Sequence, residues 1–125
     1  MQNFLEFAPE IHSHGSISAP AGDARINMVD VRDIAAVAAT ALTERGHDGL
    51  EYHISGPEAI SFEEAAETLS GALKRPVRYV DVSPEEYRGI LSSRHIPEWF
   101  VEDSLGIFKA LSSGRASRLE STILC

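Results

Sequence analysis

Apolar residues recur at helical spacing in four segments of the chain and alternate with polar residues in three shorter ones. The helical stripes predict helices at residues 31–44 and 62–74, after Ser83, and from Pro97 to Gly114. The alternating segments predict strands at residues 24–29, 50–55 and 77–82. A short helix is predicted within residues 1–11, and turn-forming residues predict a loop or loose hairpin at 12–23. This order of elements indicates an α/β fold.

Two aspartates stand where predicted strand 24–29 meets helix 31–44. Asp30 is suited to cap that helix, and Asp33 adds a negative charge to its first turn. The alternative interpretation is that both line a pocket at the carboxyl end of the strand, where α/β proteins bind ligands. Capping alone accounts for both residues, so we favour it.

Two pairs of adjacent glutamates, Glu63–Glu64 and Glu85–Glu86, could be interpreted as general acids. Each pair lies in the first turn of a predicted helix, where a carboxylate is stabilised by the helix dipole. A serine three residues before the second glutamate of each pair completes the spacing of a capping box. We therefore predict a structural role for both pairs.

The chain is acidic, with 19 aspartates and glutamates, 11 lysines and arginines, and a formal net charge of −8. Nucleic-acid binding is disfavoured, because neutralising phosphates requires a positive surface. Neither a membrane span nor a signal peptide is recognisable, and the single cysteine, Cys125, cannot form an internal disulfide. One small domain of a cytoplasmic protein is the expectation.

Four motifs follow one another along the chain: Met1-Gln2-Asn3-Phe4-Leu5, Val29-Asp30-Val31-Arg32-Asp33-Ile34, Tyr52-His53-Ile54-Ser55-Gly56-Pro57, and Arg75-Pro76-Val77-Arg78-Tyr79-Val80-Asp81-Val82. Over residues 1–118 the chain resembles the C-terminal half of NmrA-like proteins. These are atypical relatives of the short-chain dehydrogenases and reductases, and they bind NAD(P) on a Rossmann domain.

The resemblance implies the C-terminal portion of a Rossmann-like parallel sheet, with about three strands and four to five helices that form a substrate-side lobe. It implies a single α/β domain at residues 1–114, and we expect residues 115–125 to be a flexible tail. Strands 24–29 and 50–55 would then expose unpaired edges. We therefore expect a homodimer or a partner that completes the sheet.

The elements that hold the dinucleotide in that superfamily are missing from the sequence. No glycine-rich turn follows a predicted strand, and Gly46 and Gly49 instead join a helix to a strand. No tyrosine is followed four residues later by a lysine, the pair that ordinary short-chain dehydrogenases use. We expect this chain alone to bind no NAD(P), and we assign no catalytic residue.

The resemblance also implies substrate-binding residues. Gln2, Asn3, Phe4 and Phe7 match a family segment that borders the substrate pocket, although an amphipathic helix that packs both phenylalanines into the core is equally consistent. Trp99 matches a Pro-x-Trp position near the lobe. It could form the wall of an apolar cleft, while the commoner role of such a residue is to fill core.

Three histidines have possible functional roles. His12 and His14 have the spacing of two metal ligands on an extended segment, but no nearby cysteine or carboxylate cluster completes a site. His53 lies opposite Tyr52 on a predicted strand and could donate a proton. We favour a solvated loop for the first two and a surface or edge position for the third.

Two classes of function remain. The chain could be the substrate-binding portion of an NmrA-like NAD(P)-dependent oxidoreductase that acts on a small organic ligand. Alternatively, it could be a truncated, non-catalytic ligand-binding or regulatory module. A cofactor-independent cyclase or isomerase that uses the apolar cleft is a further option. The sequence alone leaves these open, because function resides in sites and not in folds.

Overall fold

The computed structural model describes residues 2–114 and the short strand Ile123–Leu124. The chain begins with a 3-10 helix at Gln2–Phe7. The α-helices are α1 (Ala8–His14), α2 (Val31–Thr43), α3 (Phe62–Leu73), α4 (Pro84–Ser93) and α5 (Glu98–Ser112). The strands are β1 (Ser16–Ala19), β2 (Arg25–Asn27), β3 (Ile54–Ser55), β4 (Ala59–Ser61), β5 (Arg78–Asp81) and β6 (Ile123–Leu124).

The strands form three separate pairs. β1 and β5 are parallel, with Ser16 opposite Arg78 and Ala19 opposite Asp81. β2 and β4 are antiparallel, and β3 and β6 are parallel. This mixed arrangement of helices and small sheets confirms the predicted α/β class.

The prediction of a loop or loose hairpin at residues 12–23 is wrong for residues 12–19 and correct for the turn at residues 20–23. Helix α1 continues through His14 and ends at Gly15, whose φ of +63° is the left-handed conformation that glycine adopts easily. Strand β1 follows directly, and its Ile17 and Ala19 side chains are both 0% exposed. A buried strand therefore lies where the sequence suggested a surface turn.

A buried carboxylate explains why serines are tolerated in β1. The hydroxyls of Ser16 and Ser18 donate to Oε1 of Glu10 at 3.0 and 2.6 Å. Arg94 approaches the other oxygen of the same carboxylate at 3.3 Å. Because Glu10 is only 6% exposed, this network satisfies polar groups that burial would otherwise leave unpaired.

Strands β2 and β3 are shorter than predicted. β2 pairs with β4, a strand that was not predicted, so one of the two edges of β2 is paired within the chain. Of predicted strand 50–55, only Ile54–Ser55 is a strand. Residues 50–53 pair with no strand in the part of the chain that the structure describes, and alternation of side chains alone does not produce a strand there.

The predicted helices are confirmed, and local capping sets where they begin. Asp30 caps α2, its Oδ1 accepting the Arg32 N–H at 2.8 Å. Ser61 with Glu64, and Ser83 with Glu86, form reciprocal capping boxes at the starts of α3 and α4. These glutamates are therefore structural, as predicted.

The core gathers side chains from α1, β1, α3, α4 and α5, among them Ile11, Ile17, Ala66, Leu91 and Val101. Helix α2 contributes no buried residue, although its sequence has a strong apolar stripe. None of the helices within the described ranges is long and apolar enough to cross a membrane. Of the predicted tail, 115–122 and Cys125 lie outside the described residues, while Ile123–Leu124 pair with β3.

Candidate functional site

Two phenylalanines of the first segment pack at the edge of an aromatic cluster. The ring centroids of Phe4 and Phe7 lie 5.4 and 6.3 Å from that of Phe62, which is buried at the start of α3. Phe62 in turn contacts the rings of Tyr79 and Phe108 at 5.6 and 5.9 Å. Phe4 and Phe7 are partly buried, so they pack against the core and still present surface to solvent.

Gln2 is held at the first turn of α2. Its Oε1 accepts the backbone N–H of Val31 at 3.1 Å, beside the capping carboxylate of Asp30. Arg32 closes over that carboxylate, its guanidinium donating to both oxygens at 2.9 Å. Hydrogen bonds from the Arg32 side chain and backbone hold the pKa of Asp30 well below its usual range. The first segment therefore contacts the Asp30 junction directly.

Asn3 and Trp99, the other two predicted substrate-binding residues, are solvent-exposed. Asn3 lies on the same 3-10 helix as Gln2 and Phe4. Trp99 lies in the first turn of α5 and is 66% exposed, with its ring 5.8 Å from that of Phe100. Trp99 is therefore not a core residue, and its place in a cleft stays a prediction.

A small groove beside α2 was not foreseen from the sequence. It has a volume of about 290 Å³ and is lined by Ala36, Val37, Thr40, Ala41, His47 and Tyr52. The Nδ1 atom of His47 lies 2.7 Å from the Tyr52 hydroxyl. No motif in the sequence indicates this pair, because the contact depends on how residues 46–49 turn the chain back along α2.

The histidines proposed as possible ligands or proton donors lie on the surface. His12 and His14 occupy the last turn of α1, so the extended segment assumed for them is wrong. Two residues apart on a helix, they point in different directions. His53 lies 3.4 Å from Glu51, with both side chains exposed. Within residues 2–114, no three histidine, cysteine or carboxylate groups come together to hold a metal ion.

Helix N-termini are the places where a protein commonly binds the phosphates of a dinucleotide. Such a phosphate needs free backbone N–H groups and no competing negative charge. In α2, Gln2 and Asp30 accept the N–H groups of Val31 and Arg32. In α3 and α4, each Ser–Glu capping box accepts two backbone N–H groups and places a carboxylate at the helix N-terminus. These three N-termini do not fit a pyrophosphate.

No protein-family model matches the chain. Among curated proteins, the chain is 42% identical over 98 residues to the NAD(P)H azoreductase of Xenophilus azovorans. It is 44% identical over 97 residues to the (4-alkanoyl-5-oxo-2,5-dihydrofuran-3-yl)methyl phosphate reductase of Streptomyces griseus. Each match covers 78% of this chain and 34% of the relative. The chain thus spans about a third of the length of these relatives.

Solved structures give the same result. The Citrobacter sp. triphenylmethane reductase complexed with NADP(H) matches with a TM-score of 0.84 and 31% identity, over 96% of this chain and 42% of that one. The Escherichia coli NADPH-dependent quinone oxidoreductase QOR2 matches with a TM-score of 0.82 and 28% identity, over 90% of this chain and 41% of that one. The homologues and structural neighbours are NAD(P)H-dependent reductases of the NmrA-like type, which confirms the resemblance at that level.

Proposed function

We propose that this chain is the substrate-side portion of an NmrA-like NAD(P)H-dependent oxidoreductase. The observation that carries the proposal is its similarity to reductases in both sequence and fold, over most of its own length. The azo, quinone and triphenylmethane compounds in the names of these proteins are conjugated and largely apolar. A conjugated organic acceptor is accordingly the substrate class that we propose.

The N-terminal segment supports a role in binding that acceptor. Phe4 and Phe7 offer aromatic surface on which a flat, apolar molecule can stack. The contact of Gln2 with α2 fixes the position of the 3-10 helix that carries these rings. In the proposed function these residues bind and orient the substrate, and we assign none of them a role in proton or hydride transfer.

The capped N-termini of α2, α3 and α4 do not fit the pyrophosphate of a nicotinamide cofactor, so the proposal places the cofactor on polypeptide that resembles the rest of the reductases. Calorimetric titration of NADPH into the chain alone should give a dissociation constant no tighter than about millimolar. The reason is that carboxylates and a glutamine occupy the N-termini of α2, α3 and α4. Micromolar binding would contradict this part of the proposal.

The function itself is tested with a chimera. The segment of the Xenophilus azovorans azoreductase that matches this chain is replaced by the chain, and NADPH-dependent reduction of azo and quinone acceptors is measured. We expect turnover with at least one acceptor class. A folded chimera that binds NADPH but reduces neither class would contradict the proposal and favour a non-catalytic ligand-binding module.

Within the chimera, two variants of the same 3-10 helix separate substrate binding from folding. Phe4→Leu should raise KM for the acceptor about tenfold or more, because an aromatic contact is lost while an apolar side chain still covers Phe62. Leu5→Ala is the matched control, since Leu5 is 72% exposed. An equal effect of both variants on KM would remove Phe4 from the proposed binding residues.

A further inference from the structure

Two side chains have buried polar atoms without a hydrogen-bond partner among the described residues. They are the carboxamide of Asn27, whose Nδ2 and Oδ1 atoms are both unpaired, and the hydroxyl of Ser55. Buried polar atoms in folded proteins nearly always have partners, because burial without a hydrogen bond costs free energy. These three atoms are therefore exceptions that require a physical explanation.

Both residues lie at the carboxyl ends of strands. Asn27 is the last residue of β2, and Ser55 is the last residue of β3. The residues that follow them touch, since a Cβ atom on Gly56 would lie 2.0 Å from the carbonyl oxygen of Met28. This contact brings together two strand ends of the kind where α/β proteins bind ligands.

The two strand ends adjoin the segment that carries the proposed substrate-binding residues. Helix α2 begins shortly after Asn27, and its first N–H donates to Gln2 at 3.1 Å. Gln2, Phe4 and Phe7 lie on one 3-10 helix. The unpaired polar groups and the aromatic surface therefore meet the same end of α2.

The chemistry of the three atoms limits what can pair with them. The carboxamide nitrogen and the hydroxyl donate hydrogen bonds, the carboxamide oxygen accepts them, and none of the three is charged. An uncharged oxygen with two lone pairs, such as a carbonyl oxygen, matches the two donors. A charged group would lack an opposite charge among these atoms.

Access to these atoms is through the turn that follows Ser55. Asn27 and Ser55 are half-buried, so other atoms of both residues reach the surface. Pro57 and Glu58 in the turn are exposed. A protein segment that only lies against this surface does not reach the buried atoms, whereas the end of a small ligand enters when the turn moves.

We infer that Asn27 and Ser55 form a polar subsite that binds a carbonyl oxygen of the acceptor. The inference rests on the proposed function and narrows its substrate class to conjugated acceptors that carry a carbonyl group. The Asn27 Nδ2 and Ser55 Oγ atoms donate to that oxygen, while Phe4 and Phe7 contact the conjugated rings. An acceptor without the carbonyl binds less well, because the buried donors then stay unpaired. The unpaired groups reduce the stability of the free protein, as is common at functional sites.

Stability measurements test whether the groups are unpaired. Ser55→Ala and Asn27→Leu should each raise the Tm of the chain by about 2 °C or more, because each removes unpaired polar atoms. Ser16→Ala is the matched control. The Ser16 hydroxyl is also buried but donates to Glu10 at 3.0 Å, so its loss should lower Tm. An unchanged or lowered Tm in either test variant would overturn the inference, because an ordered water or another group would then already satisfy these atoms.

Binding measurements in the azoreductase chimera test the ligand class. Calorimetric titration compares a naphthoquinone with a triphenylmethane dye that has no carbonyl group. Ser55→Ala and Asn27→Leu should each weaken naphthoquinone binding about tenfold and leave any dye binding unchanged.

Three binding results would overturn the subsite: unchanged naphthoquinone binding, an equal loss for both ligands, or no naphthoquinone binding by the unmodified chimera. Acceptor reduction is a separate readout. A chimera that binds with the expected preference but reduces neither azo nor quinone acceptors contradicts the proposed function and leaves the subsite intact.

Discussion

The Oε1 atom of Gln2 accepts the backbone N–H of Val31 at 3.1 Å, which joins the first segment of the chain to the start of α2. The Oδ1 atom of Asp30 accepts the next backbone N–H, that of Arg32. Two side-chain oxygens from positions far apart in sequence therefore satisfy the first two free N–H groups of one helix. The 3-10 helix at Gln2–Phe7 and the start of α2 therefore stabilise each other.

Replacing Gln2 should weaken this connection. We expect Gln2→Ala to lower the free energy of unfolding by about 0.5–1.5 kcal/mol, the usual value for one hydrogen bond. Asn3→Ala is the control, because Asn3 is exposed on the same 3-10 helix. Urea unfolding followed by circular dichroism measures both variants, and equal stabilities would show that the Gln2 contact contributes nothing.

Tyr79 should make the protein sensitive to alkaline pH. Burial, and secondly the hydrogen bond to Asp81, raise the pKa of Tyr79 to about 12. An unfolded tyrosine titrates near pH 10, so the folded state favours the neutral phenol. The stability that follows is complete below pH of about 10 and is lost as pH rises toward 12.

Denaturant unfolding between pH 8 and 12 checks this dependence against Tyr79→Phe. The variant should be less stable at pH 8, since the hydroxyl bonds to the Ala19 carbonyl and the Ala21 N–H are lost. Its stability should then decline less steeply above pH 10 than that of the wild type. Parallel curves for the two proteins over that range would contradict the assignment.

Much of this fold is predictable because it is set locally. The capping boxes at Ser61 and Ser83 fix two helix starts within four residues of sequence, and the Asp30 cap fixes a third. Strand β1 escaped prediction because the partner of Ser16 and Ser18 is a carboxylate on a preceding helix. Composition cannot distinguish such serines from turn formers.

The site shows the same division between local and long-range causes. Phe4 and Phe7 are predicted either to border the substrate pocket or to pack into the core. Their contact with Phe62 could not be predicted, because it spans more than fifty residues of sequence. The groove beside α2 likewise depends on where the turn places His47 and Tyr52. The spacing of apolar residues correctly predicts helix α2 and its apolar side. It does not predict that this side is exposed, because periodicity identifies a helix face and not what covers that face.

Glu10 should be required for the stability of β1. Glu10→Ala removes the acceptor of two serine hydroxyls in a site that is 6% exposed, at a cost of about 1–3 kcal/mol. Arg94 adds little to that cost, since its partly exposed guanidinium can turn to water. Glu10→Gln keeps an oxygen acceptor and should lose less. Thermal unfolding measures the Tm of both variants. A lower Tm for Glu10→Gln than for Glu10→Ala would contradict this role of Glu10.

Gly56 should tolerate no side chain. A Cβ atom there would lie 2.0 Å from the carbonyl oxygen of Met28, so the backbone between β2 and α2 would have to move. We expect Gly56→Ala to lower the free energy of unfolding by about 1–3 kcal/mol. Gly71→Ala is the control. Gly71 lies within α3 with open space around it, so Gly71→Ala should raise the free energy of unfolding by about 0.4–1 kcal/mol. Equal effects of the two substitutions on urea unfolding would contradict the close approach.

Asp30 allows folding and ligand binding to be separated at a single position. If it acts as a helix cap, Asp30→Asn should leave Tm nearly unchanged, because asparagine caps about as well as aspartate. The lost ion pair contributes little, since the Arg32 side chain is 86% exposed. Asp30→Ala should lower Tm by about 4–8 °C, because the Arg32 N–H loses its acceptor.

The same variants in the azoreductase chimera test whether the Asp30 charge also serves the ligand. We expect Asp30→Asn to keep both Tm and KM for the acceptor, because the carboxylate is already neutralised by two hydrogen bonds from the Arg32 side chain. An asparagine variant with unchanged Tm and a clearly raised KM would contradict the purely structural role. That result would add Asp30 to Gln2 and Phe4 among the residues that we propose to bind the substrate.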